Sequence, residues 1–258
     1  LLYKSDYGVR YKGNNPNNYI WYNGELYRII GKTPVCTAVN TDNTCKTWNN
    51  NGLVKIIRND SIGGLVYNAN ETSSSTWVGS TIQKNLNECF LGQINSRNNT
   101  TCATYCYSYY NSEKPVAKCD YTENGIASSG DYYNMIYDGV YWNIGVTSST
   151  STSGSTQYNI EKESQTSITL KVGLMYASDY GYAMNSDYKN NWLFPKGYEW
   201  TMTTYSASNP VYIVSSGKLS SNFAYYGYAV RPVLYLKSNV YVISGDGSEG
   251  NPYKIMLG

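Results

Sequence analysis

The sequence contains no histidine, only three phenylalanines and few charges: 15% of its 258 residues are charged, and the net charge is +2. The missing histidine removes the commonest general acid/base and metal ligand near neutral pH. It also excludes Ser-His and Cys-His nucleophile systems. There is no Lys/Arg run, and so small a net charge argues against steering to nucleic acid. No stretch of about 20 apolar residues is present, so no segment reads as a membrane-spanning helix. No signal peptide is visible. The chain opens at LLYKSDYG without Met, as a mature or trimmed fragment would, and the sequence leaves open whether an export or anchoring segment precedes it.

What the chain has instead is tyrosine, thirty of them. A core needs only apolar rings, whereas Tyr adds a hydroxyl that must find a partner when buried and is useful when exposed. Tyr is also the rigid, amphipathic contact residue of recognition surfaces, with Ser, Gly and Asn as adaptable companions. The segments NNPNNY, STSSTSTSGSTQY and NFAYYGYA hold all four. With 41% hydrophobic residues and little net charge, the chain does not read as disordered. Its length allows one large or two small domains.

Six cysteines, Cys36, Cys45, Cys89, Cys102, Cys106 and Cys119, give an even count in an Asn/Ser/Thr/Tyr-rich chain. That pattern points to disulfides and an oxidising location. Cys36 and Cys45 share one short polar segment and are expected to pair, and the other four to form two bridges among themselves. Zinc would need tetrahedral ligands, usually in CxxC pairs. The nearest spacing here is CATYC, which does not fit that pattern.

Along the chain, residues 1–18 read as a polar N-terminal segment, and residues 19–258 as a single domain. YIWYNGELYRIIGK predicts a β-hairpin turning at Asn23-Gly24. Residues 32–51 read as a polar loop, and GLVKIIRN and GGLVYNA as short strands. Ile82, Leu86, Cys89, Phe90 and Ile94 form an apolar helical stripe. Residues 97–131 read as Cys-rich and irregular, and YNMIYDGVYWNIGV as a strand or helix entering the core. Residues 147–167 read as a flexible low-complexity loop. Strands are expected in ITLKVGLMYA, PVYIVSSGKLSSN, YYGYAVRPVLYLKSN and VYVISGDGSEGNPYKIML. No repeat of 20–50 residues is seen.

The segments ELYRIIGK, GLVKIIRND, WVGSTIQKNLN, KVGLMYASDYGYA, EWTMTTYS and YGYAVRPVLYLKSNVYVISGDGSEGNPYKI follow in this order. Together they resemble a family of secreted or surface domains of unknown function from Gram-positive gut bacteria. Its members end in a G-x-RPVLYL-K strand followed by a G-x-G-x-x-x-x-PY hairpin. The resemblance spans roughly residues 19–258. Some members carry a pilin-like N-terminal helix, which this sequence does not show.

The C-terminal pattern also resembles C-type-lectin-like domains of the formylglycine-generating and retroelement-diversified kind. In those, a Trp segment, a Tyr/Asn/Ser-rich stretch and a terminal R-P strand build the binding face. The counterparts here are Trp200, the stretch from Tyr205 to Tyr228, and Arg231-Pro232. The enzymatic members use cysteines near the C-terminus; every Cys here precedes residue 120, so the resemblance does not imply that chemistry. What it implies is a β-rich α+β fold of C-type-lectin-like type.

Candidate ligand residues are therefore Trp200, Tyr205, Asn209, Tyr212, Asn222, Tyr225, Tyr226 and Tyr228. Strand alternation puts Tyr226 and Tyr228 on one face and Tyr225 on the other. The same stretch also reads as half-buried strand tyrosines bonded to the backbone. Arg231 in a buried run needs a carboxylate, with Glu199 and Asp179 as candidates. Asp179, Asp187 and Glu199 lie nearest the face, but their spacing selects no glycosidase pair. Asp246 and Glu249 suit a hairpin turn better than a calcium loop. Asn59, Asn70, Asn98 and Asn99 begin N-x-S/T sequons, as chance allows in so Asn-rich a chain.

The expectation is a secreted or cell-surface binding domain, not an enzyme, that takes a glycan or a surface protein and needs no cofactor. The alternative is a pilus or filament subunit that binds itself. Neither role involves nucleic acid or a membrane span in this segment.

Overall fold

The turn at Asn23-Gly24 forms as expected. Both residues have positive φ, 55° and 77°, the two-residue hairpin geometry that Asn-Gly favours. The computed structural model describes residues 2–5, 7–69, 76–108, 119–143, 146, 149–163, 166–195, 197–205, 209–213 and 216–258. The fold is α+β, sheet-rich and mostly antiparallel, with short helices.

The main sheet runs in the order Val240–Ser244, Tyr253–Leu257, Tyr19–Tyr22, Glu25–Val39, Cys45–Arg58, Val233–Tyr235, Val172–Gly173. Its centre is the long hairpin of Glu25–Val39 against Cys45–Arg58. Residues 32–51, expected as a polar loop, are mostly the far half of this hairpin. Side chains such as Lys46, Thr47, Asn50 and Asn51 are exposed there, which hides the strand alternation in the sequence. The Cys36–Cys45 disulfide ties the two strands near the tip.

The N-terminal segment also belongs to the sheet and is not a separate polar stretch. Leu2–Ser5 and Gly8–Tyr11 form a hairpin, and Val9 and Arg10 pair with Lys32 and Gly31. The approach is close enough that a Cβ on Gly31 would lie 2.2 Å from the carbonyl oxygen of Val9.

A smaller five-stranded sheet has the order Leu219–Ser221, Pro210–Ile213, Glu199–Thr204, Gly227–Ala229, Gly64–Val66. Glu199–Thr204 is buried along its whole length. The apolar stripe beginning at Ile82 forms a helical segment, Thr81–Lys84 continuing as a π-helical turn over Asn85–Phe90. Ser80 caps it by accepting from the Gln83 N–H. The disulfide Cys89–Cys102 ties the following segment to that helix, and Cys106–Cys119 closes a second link further along the chain. All six cysteines are therefore paired.

The segment 147–167, expected as a flexible loop, contains the helix Gly154–Glu163. Its buried positions include Gln157 and Glu161, so the helix is held by polar contacts. Gln157 donates to the carbonyls of Ser149 and Ser151 at 3.0 and 2.8 Å. The segment YNMIYDGVYWNIGV supplies both a helix, Asp131–Met135, and a strand, Tyr141–Asn143. No described helix is long and apolar enough to cross a membrane.

Candidate functional site

The Tyr-rich stretch forms a ladder of rings running from the core to the surface. Tyr67 packs on Trp77 and on Trp200, with centroids 6.1 and 5.6 Å apart. Trp200 packs on Tyr228 at 4.7 Å. Tyr228 in turn meets Tyr198 at 5.1 Å and Tyr226 at 6.3 Å. Tyr226 meets Tyr225 at 4.9 Å, and Tyr225 stacks on Phe223 at 5.4 Å with rings 6° from parallel.

The outer end is exposed. Phe223 and Tyr198 are each 48% accessible, and Tyr225, Tyr226 and Tyr228 are half-buried. The Asn222 amide donates to the Tyr228 hydroxyl at 2.6 Å. Together these side chains form an apolar ring surface edged by an amide and phenol oxygens.

Trp200 is a correction to the sequence expectation. It is fully buried, and its indole N–H donates to the Leu65 carbonyl at 2.9 Å. Its strand is covered on both faces, so the ring backs the site and cannot touch a ligand. Tyr205 and Asn209 are half-buried, at the turn where the Tyr205 N–H donates to the Asn209 carbonyl at 3.0 Å. No ring contact joins them to the ladder among the described residues. The side chain of Tyr212, with Ser206, Ser208, Ser215 and the sequon Asn70, lies outside the described residues. The rings of Tyr226 and Tyr228 lie 26° from parallel, although Tyr226 sits in the bend before the strand Gly227–Ala229. Tyr225 sits in the turn before the strand, so its ring joins the same cluster instead of facing away.

Beside the ladder lies a groove of about 380 Å³, within the usual range for small-ligand sites. Its lining combines the polar run Asn59, Asp60 and Ser61, the segment with Trp192, Phe194, Pro195 and Gly197, and the strand residues Glu199, Ala229 and Arg231. Tyr198 connects groove and ladder, because its carbonyl accepts from the Ala229 N–H at 3.0 Å. Phe223, Tyr198 and the groove residues other than Asn59, Glu199 and Arg231 were not named from the sequence. The aromatic cluster WLFPKGYEW is the signal that would have found them.

Arg231 and Glu199 form the buried pair foreseen in the sequence. Arg231 Nε lies 2.8 and 3.0 Å from the two carboxylate oxygens, and Nη2 donates to the Leu193 carbonyl at 3.0 Å. Burial raises the Glu199 carboxyl above its usual range, against the pull of Arg231. Arg28 sits close by, 4.7 Å over the Trp192 ring and 4.0 Å over Tyr19. Burial lowers its guanidinium to about 10.

The three acids weighed as a hydrolytic pair each have a structural partner. Glu199 holds Arg231. Asp187 accepts from the Lys189 N–H at 2.8 Å. Asp179, in the core, binds Arg10 and Lys55. At the C-terminal hairpin, Asp246 accepts from the Ser248 N–H at 2.9 Å, as a turn carboxylate does. Among the described residues, no group of three His, Cys, Asp or Glu side chains could hold a metal.

No protein-family model, curated protein or solved structure matches this chain.

Proposed function

We propose that this chain is an extracellular carbohydrate-binding domain whose ligand lies across the aromatic ladder and enters the adjoining groove. The observation that carries the proposal is the outer ladder itself. Phe223, Tyr225, Tyr226, Tyr228 and Tyr198 present ring faces beside the Asn222 amide. Sugar rings offer C–H faces to stack on such rings and hydroxyls for amide, phenol and carboxylate partners. Tyr and Asn supply both kinds of contact at little entropic cost. In the groove, Asn59, Asp60 and Ser61 add polar groups to a lining that also holds the rings of Trp192 and Phe194. Three disulfides support an oxidising, secreted or surface location. The resemblance to surface domains and to C-type-lectin-like binding faces points the same way.

A glycan array probed with the oxidised protein tests this. Retention of a defined set of glycans is the expected result. An array with no retained glycan at micromolar protein contradicts it.

A second reading, a filament subunit, is favoured by a different observation. Val240–Ser244 is the outer strand of the main sheet. Its residues Tyr241, Val242 and Ile243 are exposed, as is Met256 on the neighbouring strand. An apolar sheet edge is a template for strand addition by another chain. Electron microscopy with size-exclusion chromatography distinguishes the readings: ordered fibres support assembly as the main role, and discrete monomers leave the binding domain.

A further inference from the structure

The core contains a polar cluster that the binding face does not use. Lys55 lies in the run GLVKIIR, on a strand whose two faces are both covered here. Its side chain is 1% exposed and its ammonium contacts the carboxylate of Asp179, which is fully buried. Arg10 holds the other oxygen of that carboxylate at 2.6 Å, and the Tyr176 N–H donates to it at 2.9 Å on the Lys55 side. The rings of Trp142, Tyr176 and Tyr235 wall the amine at 5.8, 4.3 and 5.4 Å. Glu161, also buried, accepts from the Thr203 hydroxyl at 2.6 Å and the Ser178 N–H at 3.1 Å. Lys55, Asp179 and Glu161 all line one cavity of about 40 Å³, which is room for a water molecule.

We propose that Lys55 and Asp179 are the precursors of an autocatalytic amide crosslink, with Glu161 carrying the proton through the shared cavity. An amine held against a carboxyl in a buried, aromatic-walled site is a positioned nucleophile and electrophile, and positioning supplies much of such a rate gain. Burial drives Lys55 towards its neutral, nucleophilic form, although Asp179 opposes this. Burial also pushes Glu161 up to about 7, where it can both take and give a proton.

The step balances without a co-reactant. One ammonium proton passes to Asp179 Oδ2 along their contact. The neutral Nζ attacks Cγ, and the C–N bond forms. Negative charge develops on Oδ1, where Arg10 stabilises it. Glu161 takes a second proton from the attacking nitrogen and delivers it to Oδ2. The C–Oδ2 bond breaks and water leaves. The cluster then retains one cation, Arg10, and one acid, Glu161. Two buried charges, costly where they stand, have been replaced by a neutral amide. The crosslink would join the centre of the main sheet to the helix Ala177–Ala183, 124 residues away in sequence.

Intact mass spectrometry of the reduced and alkylated full chain tests this. The expected mass is one water below that of the sequence with its six cysteines alkylated, with a protease digest yielding a branched peptide that contains Lys55 and Asp179. Lys55→Arg should restore the full mass. Glu161→Gln should restore it or slow the loss at least tenfold. A wild-type protein at full sequence mass after prolonged incubation near pH 7 overturns the crosslink and leaves a buried ion cluster only. A Glu161→Gln protein that loses water at the wild-type rate overturns the role of Glu161.

Discussion

The rings of Trp200 and Tyr228 lie 4.7 Å apart, one fully buried and one half-buried, and this contact joins the core to the proposed binding face. The face is therefore rigid at its inner end. It also means that the tyrosines of the ladder are not equivalent.

Substitutions along the ladder should separate stability from binding. Trp200→Ala removes a large core side chain and should cost roughly 3–5 kcal/mol of stability. Tyr228→Ala should lower the melting temperature too, because it loses both the Trp200 contact and the Asn222 hydrogen bond. Tyr225→Ser and Phe223→Ser lie at the exposed end and should leave the melting temperature nearly unchanged. Thermal melts of the four variants check the order.

The Glu199–Arg231 pair should be intolerant of single changes. Arg231→Met leaves the Glu199 carboxylate buried without its charged partner, a change that typically costs roughly 3–5 kcal/mol. A combined Arg231→Met, Glu199→Leu variant should recover most of that loss. Urea denaturation of the single and double variants is the check; equal losses in both contradict the account.

Alkaline pH should unfold the protein steeply. Burial pushes Tyr11 and Tyr158 up to about 12, and Tyr27, Tyr67, Tyr121 and Tyr235 higher still. In the unfolded chain these phenols ionise near their ordinary value of 10. The native state therefore binds more protons than the unfolded state above that pH, and stability falls as pH rises. Below pH 10 this contribution is complete. Tyrosinate absorbance should rise cooperatively with loss of circular dichroism. Tyrosinate absorbance that reaches its full value in the still-folded protein contradicts the burial.

Each disulfide should contribute comparable stability. The sequence separations are 9, 13 and 13 residues, and chain entropy assigns about 3 kcal/mol to a loop of that size. Reduction should lower the melting temperature in steps, followed by calorimetry at increasing reductant. An unchanged melting temperature after full reduction contradicts this.

Features set by short-range chemistry were legible in the sequence. Asn23-Gly24 specified its turn through backbone preference, and the proximity of Cys36 to Cys45 specified their bridge. Arg231 announced a carboxylate because a buried guanidinium needs one, and Glu199 supplies it. The helix Gly154–Glu163 was hidden because its inward positions include the polar Gln157 and Glu161, whose side chains make hydrogen bonds. Periodicity of apolar residues cannot reveal such a helix. The far half of the long hairpin was hidden for the converse reason, since its exposed strands carry no apolar alternation. Trp200 was misread because nothing in EWTMTT tells a strand covered on both faces from one with a free face. Lys55 was overlooked, although a cation between Val54 and Ile56 in an apolar run is a signal of its own.

The measurement that tests the central claim most directly is a glycan array probed in parallel with the wild-type protein and a Tyr225→Ser, Tyr226→Ser double variant of matched thermal stability. The account predicts that the variant loses at least tenfold in affinity for every glycan the wild type retains, a change of about 1.4 kcal/mol. Equal retention by both proteins would place the ligand elsewhere and contradict the aromatic ladder as the binding face.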